Sequence, residues 1–362
     1  MFMFDRFSGA RLPLCIALAA TALSASAATV APSNLPATFC DDAIAGDLVV
    51  NASLQIDTDT AACSGAGTPC VLRYNNVTVT SLGSINIVGS RPAVLSAQGS
   101  MNVQGSIIAG AGSDTFPSGA SGSSKAGGGG AGGGTAGGNG GSSDLGAPGG
   151  LGGAARGNKA LRPLVGGARG GLGNGNQMTS GGAGGGALQL VSCHSLTVAA
   201  NVYAAGFGGS GGAAEASLNA ANGGGGGGSG GGLLLEGDAV TISADLIANG
   251  GGGGGGGTSN FSTGNNGQPG NSGFGFAPAL GGQPGSSSAG GGGTGGATGV
   301  PSSGAPATAT LGAGGGGGGA AGRIRINFCA SASANPALTS PSATFGISCS
   351  DVIFRDDFEP AT

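Results

Sequence analysis

The chain has 362 residues, of which 88 are glycine, and only 8% are charged. This composition lies far from that of an ordinary globular domain, so length alone is a poor guide to the number of domains. The formal net charge of −4 gives no general attraction to a polyanionic backbone. We therefore expect no nucleic-acid partner.

The first 27 residues have the parts of a secretory signal peptide. Arg6 and Arg11 precede an apolar run from Leu12 to Leu23, and Ala25-Ser26-Ala27 provides a small-residue cleavage site. The run is shorter than the roughly 20 apolar residues of a membrane-spanning helix, and no later segment could span a membrane. The sequence predicts an exported mature chain that begins at Ala28 and has no transmembrane segment.

Cysteine usage agrees with export, because removal of the signal leaves an even number of cysteines: Cys40, Cys63, Cys70, Cys193, Cys329 and Cys349. Even numbers in an exported chain favour disulfides. Cys63 and Cys70 bracket a turn-rich segment and are predicted to pair. Cys193 and Cys329 occupy the same register of a repeat, two strand spacings apart, or roughly 9 to 10 Å. A disulfide cannot bridge that distance, and the other pairings stay open.

Residues 28–39 read as an irregular lead, and short alternating runs follow from Asp47. β-Branched residues are frequent in these runs and turn residues separate them, as strands require. The segment Gly232 to Gly252 has the same character and reads as three short strands with corners between them. Side chains alternate between the two faces of a strand. We interpret such a segment as one coil of a parallel β-solenoid, and residues 28–109 as a terminal cap with the first coils.

The coil pattern occurs three times with the same spacing. A shift of 44 residues places Leu196 on Val240 and Thr197 on Thr241, and an earlier copy begins at Met101. The first strand of the unit also recurs after each glycine tract. The sequence therefore predicts two inward ladders, formed by Leu188, Leu233 and Ile324 and by Leu190, Leu235 and Ile326. The predicted fold is an all-β, right-handed parallel β-helix.

Long glycine-rich insertions separate the later coils, and each leaves after an alanine, so all should emerge from one edge of the stack. Ordinary loops of this length are linkers or functional segments. In the third insertion, however, Gly264, Gly267, Gly270 and Gly273 have the spacing of a three-residue helix. Packed polyglycine II helices and flexible tethers are the two alternatives, with Phe261, Phe274 and Phe276 as anchors of a packed layer. The predicted divisions begin with the signal peptide (1–27) and the cap with the first coils (28–109). The insertions are then 110–186, 205–232 and 249–322, and the solenoid segments that follow them are 187–204, 233–248 and 323–362, the last including the C-terminal tail.

The sequence offers little that could perform catalysis. The acids do not recur in register, so paired carboxylates for polysaccharide cleavage are not expected. A weak calcium site at Asp41–Asp42 or Asp57–Asp59 competes with ordinary turn acids, and His194 is expected at an exposed corner. We predict no catalytic residue, cofactor or metal. The basic cluster in the first insertion is a candidate polyanion contact and consists of Arg156, Lys159, Arg162 and Arg169.

Residues 84–328, with Gly-Gly-Gly-Leu-Leu-Leu-Glu, Ala-Val-Thr-Ile and Gly-Arg-Ile-Arg-Ile, resemble the glycine-rich β-solenoid repeats of large exported bacterial proteins. The end of the chain, Ile353-Phe-Arg-Asp-Asp-Phe-Glu359, is similar to the Ile-Phe-x-Asp-Gly-Phe-Glu tail of many exported Gram-negative proteins, with Asp357 in place of the glycine. The resemblance implies an extracellular setting in a Gram-negative bacterium and no activity.

Two functional hypotheses follow. The first is a non-catalytic, adhesin-like structural protein of the cell surface or matrix, with surface polysaccharide or other matrix components as partners. The second is a carbohydrate-binding or polysaccharide-degrading β-helix that uses the face around Asn102, Thr197 and Thr241 or the basic cluster. A threonine ladder of the ice-binding kind is broken at Asn102. Small polar residues on the outward face favour the first hypothesis.

Overall fold

The computed structural model describes residues 29–41, 46–60, 63, 69–110, 119–215, 220–259 and 264–350. The predicted signal peptide, the C-terminal tail from Asp351 and the predicted anchor Phe261 lie outside this part. The described chain is all-β, with most strands in parallel sheets. Its described helices are short 3-10 turns at Ala37–Asp41 and Pro336–Leu338.

The strands, in chain order, are β1 (Thr29–Val30), β2 (Leu48–Val50), β3 (Ser53–Asp57), β4 (Cys70–Tyr74), β5 (Val77–Val79), β6 (Ser84–Val88), β7 (Ala93–Ala97), β8 (Met101–Val103), β9 (Ile107–Ala109), β10 (Ala187–Ser192), β11 (Ser195–Val198), β12 (Val202–Tyr203), β13 (Ala214–Glu215), β14 (Ala220–Ala221), β15 (Gly232–Ile242), β16 (Leu246–Ile247), β17 (Thr258–Ser259), β18 (Gly264–Asn265), β19 (Arg323–Ala334), β20 (Thr339–Ser340), β21 (Thr344–Ile347) and β22 (Cys349–Ser350).

Parallel pairing arranges most of these strands into three ladders. The first ladder has the order β4-β7-β10-β15-β19-β21, and the second has β2-β5-β8-β11-β15-β19. They form one ten-stranded sheet, because each of the long strands β15 and β19 belongs to the first ladder with its first half and to the second ladder with its second half. The third ladder is a six-stranded sheet, β3-β6-β9-β12-β16-β20. Successive passes of the chain visit the first, second and third ladders in turn.

The predicted registers are confirmed. Leu188 pairs with Leu233, which pairs with Ile324, and the next inward ladder has the same partners two residues later. The 44-residue shift is also observed, since Leu196 pairs with Val240. The inward side chains of all three ladders form one buried apolar core. Because alternate side chains of a strand enter this core, a one-residue slip would move the whole inward set to the opposite face of the sheet.

The N-terminal lead lies along the outer side of the first ladder. β1 pairs antiparallel with β22, at the far end of the chain. Val30 is completely buried there, in a second apolar cluster whose other buried members are Val94, Leu161, Leu164, Ala187, Val191 and Leu234. The ring of Phe39 receives the Arg73 guanidinium at 4.8 Å. The central strands of the first ladder, β7, β10 and the first half of β15, are therefore buried on both faces, which the sequence did not lead us to expect.

Three disulfides fix this arrangement. Cys63 pairs with Cys70, as predicted, across a separation of seven residues. Cys40 pairs with Cys193 and ties the end of the lead to the first ladder, and Cys329 pairs with Cys349, which joins β19 to β22. Cys193 and Cys329 therefore have different partners, in agreement with the distance argument.

The insertions leave and return at one edge, as predicted. The first begins after Ala109 and closes where Gly186 N–H donates to Ala109 O at 3.0 Å. Gly231 N–H closes the second insertion on Ala204 O at 2.7 Å, and Gly322 N–H closes the third on the matching Ala248 O at 2.7 Å. Each insertion thus has a hydrogen-bonded base between the end of the third ladder and the start of the first.

Candidate functional site

The described residues of the three insertions form one continuous structure, which we call the glycine layer (119–186, 205–215, 220–231, 249–259 and 264–322). The run from Asn222 to Gly231 lies at its centre. Gly224 N–H donates to Gly314 O, Gly225 N–H to Ser210 O and Gly226 N–H to Gly171 O, all at 2.9 to 3.0 Å. The next three residues donate to the same three runs, at Gly317, Phe207 and Ala168. Successive residues therefore face three different neighbours with a period of three.

Three further runs donate to this central run. Gly128 N–H bonds Gly224 O, Gly182 N–H bonds Gly226 O and Gly254 N–H bonds Gly225 O, at 2.8 to 2.9 Å. The central run consequently has six hydrogen-bonded neighbours, three as acceptors and three as donors. The run from Gly312 to Gly322 has the same environment. Backbone groups that would be unpaired in a loop are satisfied between runs.

Close packing explains the glycine content. A Cβ on Gly226 would lie 2.0 Å from the carbonyl oxygen of Gly129, and one on Gly227 would lie 2.1 Å from that of Gly251. Both contacts are to backbone, which cannot rotate away. Runs at the edge carry a larger residue where they face solvent, as at Leu151 and Arg169. Uninterrupted glycine therefore indicates an interior run, and glycine pairs followed by a larger residue indicate an edge run.

The period-three glycines of the third insertion take part in this packing. Gly267 N–H donates to Gly212 O, Gly270 N–H to Gly209 O and Gly273 N–H to Gly206 O, at 2.8 to 2.9 Å, whereas Gly264 belongs to β18. Phe274 acts as an anchor, since its ring lies 5.6 Å from those of both Tyr203 and Phe207 in edge-on contacts. Phe276, in contrast, is exposed.

At the end of the glycine layer remote from the ladders, connecting loops contact one another. Lys125 Nζ lies 3.6 Å from Asp144 Oδ2, which also accepts Leu311 N–H at 2.8 Å. Asp144 Oδ1 is buried without a hydrogen-bond partner within the described chain. Asn174 Nδ2 donates to Gly122 O at 3.1 Å. This end is therefore a connected surface built from several loops.

The structure separates the predicted basic cluster. Arg156 and Lys159 lie where the first insertion crosses from the glycine layer to the first ladder, and each lines a different pocket. Arg162 is exposed on the same crossing, and Arg169 is exposed on an edge run; neither lines these pockets. Each of these pockets is also lined by a cation that the sequence did not single out, Arg91 in the pocket of Arg156 and Arg323 in the pocket of Lys159.

Among the acids that the structure describes, Glu236 accepts the most hydrogen bonds, and it is completely buried on the outer side of the first ladder. Its carboxylate accepts hydrogen bonds from Ser33 N–H and Oγ, Gln189 Nε2 and Asn327 Nδ2 at 2.5 to 3.0 Å, and from Ser348 Oγ at 3.5 Å. The donors come from both ends of the chain and from two ladder strands. Glu236 is thus the centre of a polar clasp that joins the lead to the first ladder.

Of the two predicted calcium sites, Asp41–Asp42 extends outside the described residues, because Asp42 is not among them. Asp57 and Asp59 hold a turn and its neighbour. Asp57 Oδ1 accepts Asp59 N–H at 2.9 Å, and Asp59 accepts Ser90 N–H at 2.8 Å and its hydroxyl at 2.7 Å. His194 is exposed at the predicted corner. Within the described ranges, no group of three or more histidine, cysteine or acidic residues could hold a metal ion.

The outward face of the second ladder carries one small polar residue from each of several passes. Thr197 pairs with both Asn102 and Thr241, and the column continues to Thr78 and Ser333. The column is one residue wide, without an aromatic side chain among these five. It offers hydroxyl and amide groups, and none of these five residues lines either of the two pockets named above.

In the described part of the chain, no helix has the length and apolar character needed to cross a membrane. No protein-family model, curated protein or solved structure matches this chain.

Proposed function

We propose that this chain is a non-catalytic structural or adhesive protein of a Gram-negative cell surface or extracellular matrix, exported by its first 27 residues. We further propose that its three ladders form a right-handed parallel β-solenoid and that the insertions pack as polyglycine II helices. Repeated passes through the ladders in one order support the solenoid. Right-handed connection is the rule for parallel strands in one sheet.

The observation that carries this proposal is the six-neighbour packing of the glycine runs. Hydrogen bonds link the runs in three directions, and a Cβ at Gly226 or Gly227 would overlap the backbone of a neighbouring run. Such packing leaves little room for catalytic side chains in the interior of the layer. What it supplies is a stiff, closely packed body projecting from one edge of the solenoid. Loss of backbone freedom costs most at glycine, so this ordering argues for a role that depends on shape.

The distribution of acids supports the non-catalytic part of the proposal. Glycosidases use two carboxylates roughly 5 to 10 Å apart beside an accessible cleft. Here Glu236 is buried and accepts several hydrogen bonds, while Asp57 and Asp59 hold a turn and its neighbour Ser90. The two pockets described above are lined by cations instead of acids.

The disulfides support export. Three cysteine pairs require an oxidising compartment to form and persist. Expression of the full chain in a Gram-negative host, followed by cell fractionation and surface labelling, tests this part. We expect oxidised protein outside the cytoplasm and lacking residues 1–27. Uncleaved protein retained in the cytoplasm would contradict the localisation.

Function is tested with beads that carry the oxidised protein. We expect the beads to be retained on films of extracted bacterial matrix, without release of reducing sugars or unsaturated uronates from the film. Product release would identify an enzyme and overturn the non-catalytic proposal. Beads carrying an unrelated acidic protein of similar net charge provide the control, and equal retention of both bead types would contradict an adhesive role.

A further inference from the structure

A pocket of about 360 Å³ lies where the base of the glycine layer meets the last strands of the ladders. Two turns of the glycine layer form one wall, at Gly134–Thr135 and Ala297–Val300. The other walls are the start of β19 and the turn from Pro341 to Thr344, and Lys159 reaches in from the crossing segment. Five separate segments of the chain therefore meet at this cavity.

The lining combines three kinds of group. Lys159 and Arg323 are cations, and no acidic residue lines the pocket. Hydroxyl groups come from Thr135, Thr298, Ser342 and Thr344, and apolar surface comes from Val300 and Pro341. A mostly apolar cavity of a few hundred Å³ with a small number of convergent polar groups is the usual form of a small-ligand site. The cations make this one selective for an anion.

Arg323 is held in place by backbone carbonyls. Its Nε and Nη2 donate to Arg156 O at 3.4 Å, and Nη2 also donates to Gly134 O at 3.3 Å. Carbonyl acceptors orient a guanidinium without neutralising its charge. Lys159 is exposed at the rim of the pocket. The site thus pairs one positioned charge with one mobile charge, and a flexible ammonium can follow the anion that enters.

We propose that this pocket binds a sugar residue that carries a carboxylate, within an acidic polysaccharide. The carboxylate would meet Lys159 and Arg323, the sugar hydroxyls would meet the threonine and serine hydroxyls, and the C–H face of the ring would lie on Val300 and Pro341. Charge-assisted hydrogen bonds to carboxylates are stronger than neutral ones. This ligand would serve the adhesive form of the proposed function, on which the assignment rests; a purely structural protein would not need it.

The test is calorimetric titration of the oxidised protein with three probes: trigalacturonate, neutral galactotriose and inorganic phosphate. We expect trigalacturonate to bind and to weaken with added salt, because the charges are near the surface. Galactotriose and phosphate should each bind at least about tenfold more weakly than trigalacturonate. Galactotriose has no carboxylate for the cations, and phosphate has no sugar ring for the hydroxyl and apolar groups. Phosphate binding as tight as trigalacturonate would overturn the sugar assignment, and equal binding of galactotriose would overturn the role of the cations.

Two variants locate the site. Lys159→Gln should weaken trigalacturonate binding by about tenfold, whereas the matched control Arg169→Gln, an equal charge change on an exposed edge run, should leave it unchanged. Val300 is 77% exposed, so Val300→Glu should fold normally while repelling the carboxylate. Val300→Gln is its neutral control.

Equal effects of Lys159→Gln and Arg169→Gln would reduce the interaction to general charge attraction and overturn the pocket. Absence of trigalacturonate binding to the native protein would also overturn it. Neither result would contradict the proposed structural role, because that role depends on the packing of the glycine runs. Hydrogen exchange measures this packing without any ligand.

Discussion

Replacing Gly226 by alanine adds one methyl group at the centre of the glycine layer. The new Cβ would lie 2.0 Å from Gly129 O and 2.5 Å from Gly129 C. Neither atom belongs to a flexible side chain, so two backbone runs must separate. Their separation lengthens the two hydrogen bonds that join these runs, from Gly128 N–H to Gly224 O and from Ala131 N–H to Gly227 O, both now 2.9 Å. The substitution therefore acts through both overlap and lost hydrogen bonds.

The magnitude follows from these two effects. Overpacking in a close-packed interior costs about 1 to 3 kcal/mol, and each weakened buried hydrogen bond costs about 1 kcal/mol. We expect Gly226→Ala to lower the free energy of unfolding or of local opening by about 3 to 5 kcal/mol. Hydrogen exchange with mass spectrometry on peptides that cover 222–231 measures the local effect, and calorimetry measures the global one.

The matched control is Gly275→Ala. A Cβ at Gly275 would have no atom within 4 Å, and neither of the two glycines has a positive φ. The control should be neutral or stabilising by up to about 1 kcal/mol, because alanine restricts the unfolded chain. Equal exchange rates for the two variants, with fast exchange over 222–231 in the native protein, would refute close packing and make the glycine runs flexible tethers.

Two further predictions concern the attachment of the N-terminal lead. Glu236→Gln places an amide N–H₂ against one of the donors that now bond the carboxylate. We expect the free energy of unfolding to fall by roughly 3 kcal/mol and hydrogen exchange over residues 29–34 to become faster. An unchanged exchange rate would show that the clasp does not hold the lead. Removal of the Cys40–Cys193 pair as alanines releases a loop of 153 residues and should cost about 5 kcal/mol in denaturant unfolding. Removal of Cys63–Cys70, with a separation of seven, should cost only about 2 kcal/mol, and equal losses would contradict the loop-length argument.

The registers of the ladders could be predicted because parallel pairing preserves spacing. Leu196 and Val198 are two residues apart, as are Val240 and Ile242, so one inward pair fixes the other. The burial of the outer face of the first ladder could also have been predicted from the sequence. Leu234 is apolar at an outward position, and strands buried on both faces read as continuous apolar runs. Such a position should have predicted a segment packed over the sheet.

Other features had no sequence signal. Glu236 draws donors from Ser33 and Ser348, which lie near opposite ends of the chain, and no local pattern relates them. The same holds for the pocket, where Lys159 meets Arg323 only because the first insertion crosses back over the ladders. Within the glycine layer, the period of three was readable, but the choice of neighbours was not. One polyglycine run offers the same backbone groups as any other.

The ladders resolve that ambiguity by setting the first neighbours. Val202 N–H donates to Asp245 O and Ala204 N–H to Ile247 O, in the two-residue steps of a parallel ladder, and Gly206 N–H then donates to Asn249 O. Beyond this point the same two segments stay bonded in three-residue steps, Gly209 to Gly252 and Gly212 to Gly255.

The strand pair therefore continues into the glycine layer without a break, and its register fixes which runs begin side by side. Ordering glycine is entropically costly, and a pair of runs already aligned at one end loses less freedom on association than two free chains. On this reasoning the ladders form the template and the layer extends from them. A chain with intact ladders could tolerate a damaged edge run, whereas isolated insertions would have no means of selecting their neighbours.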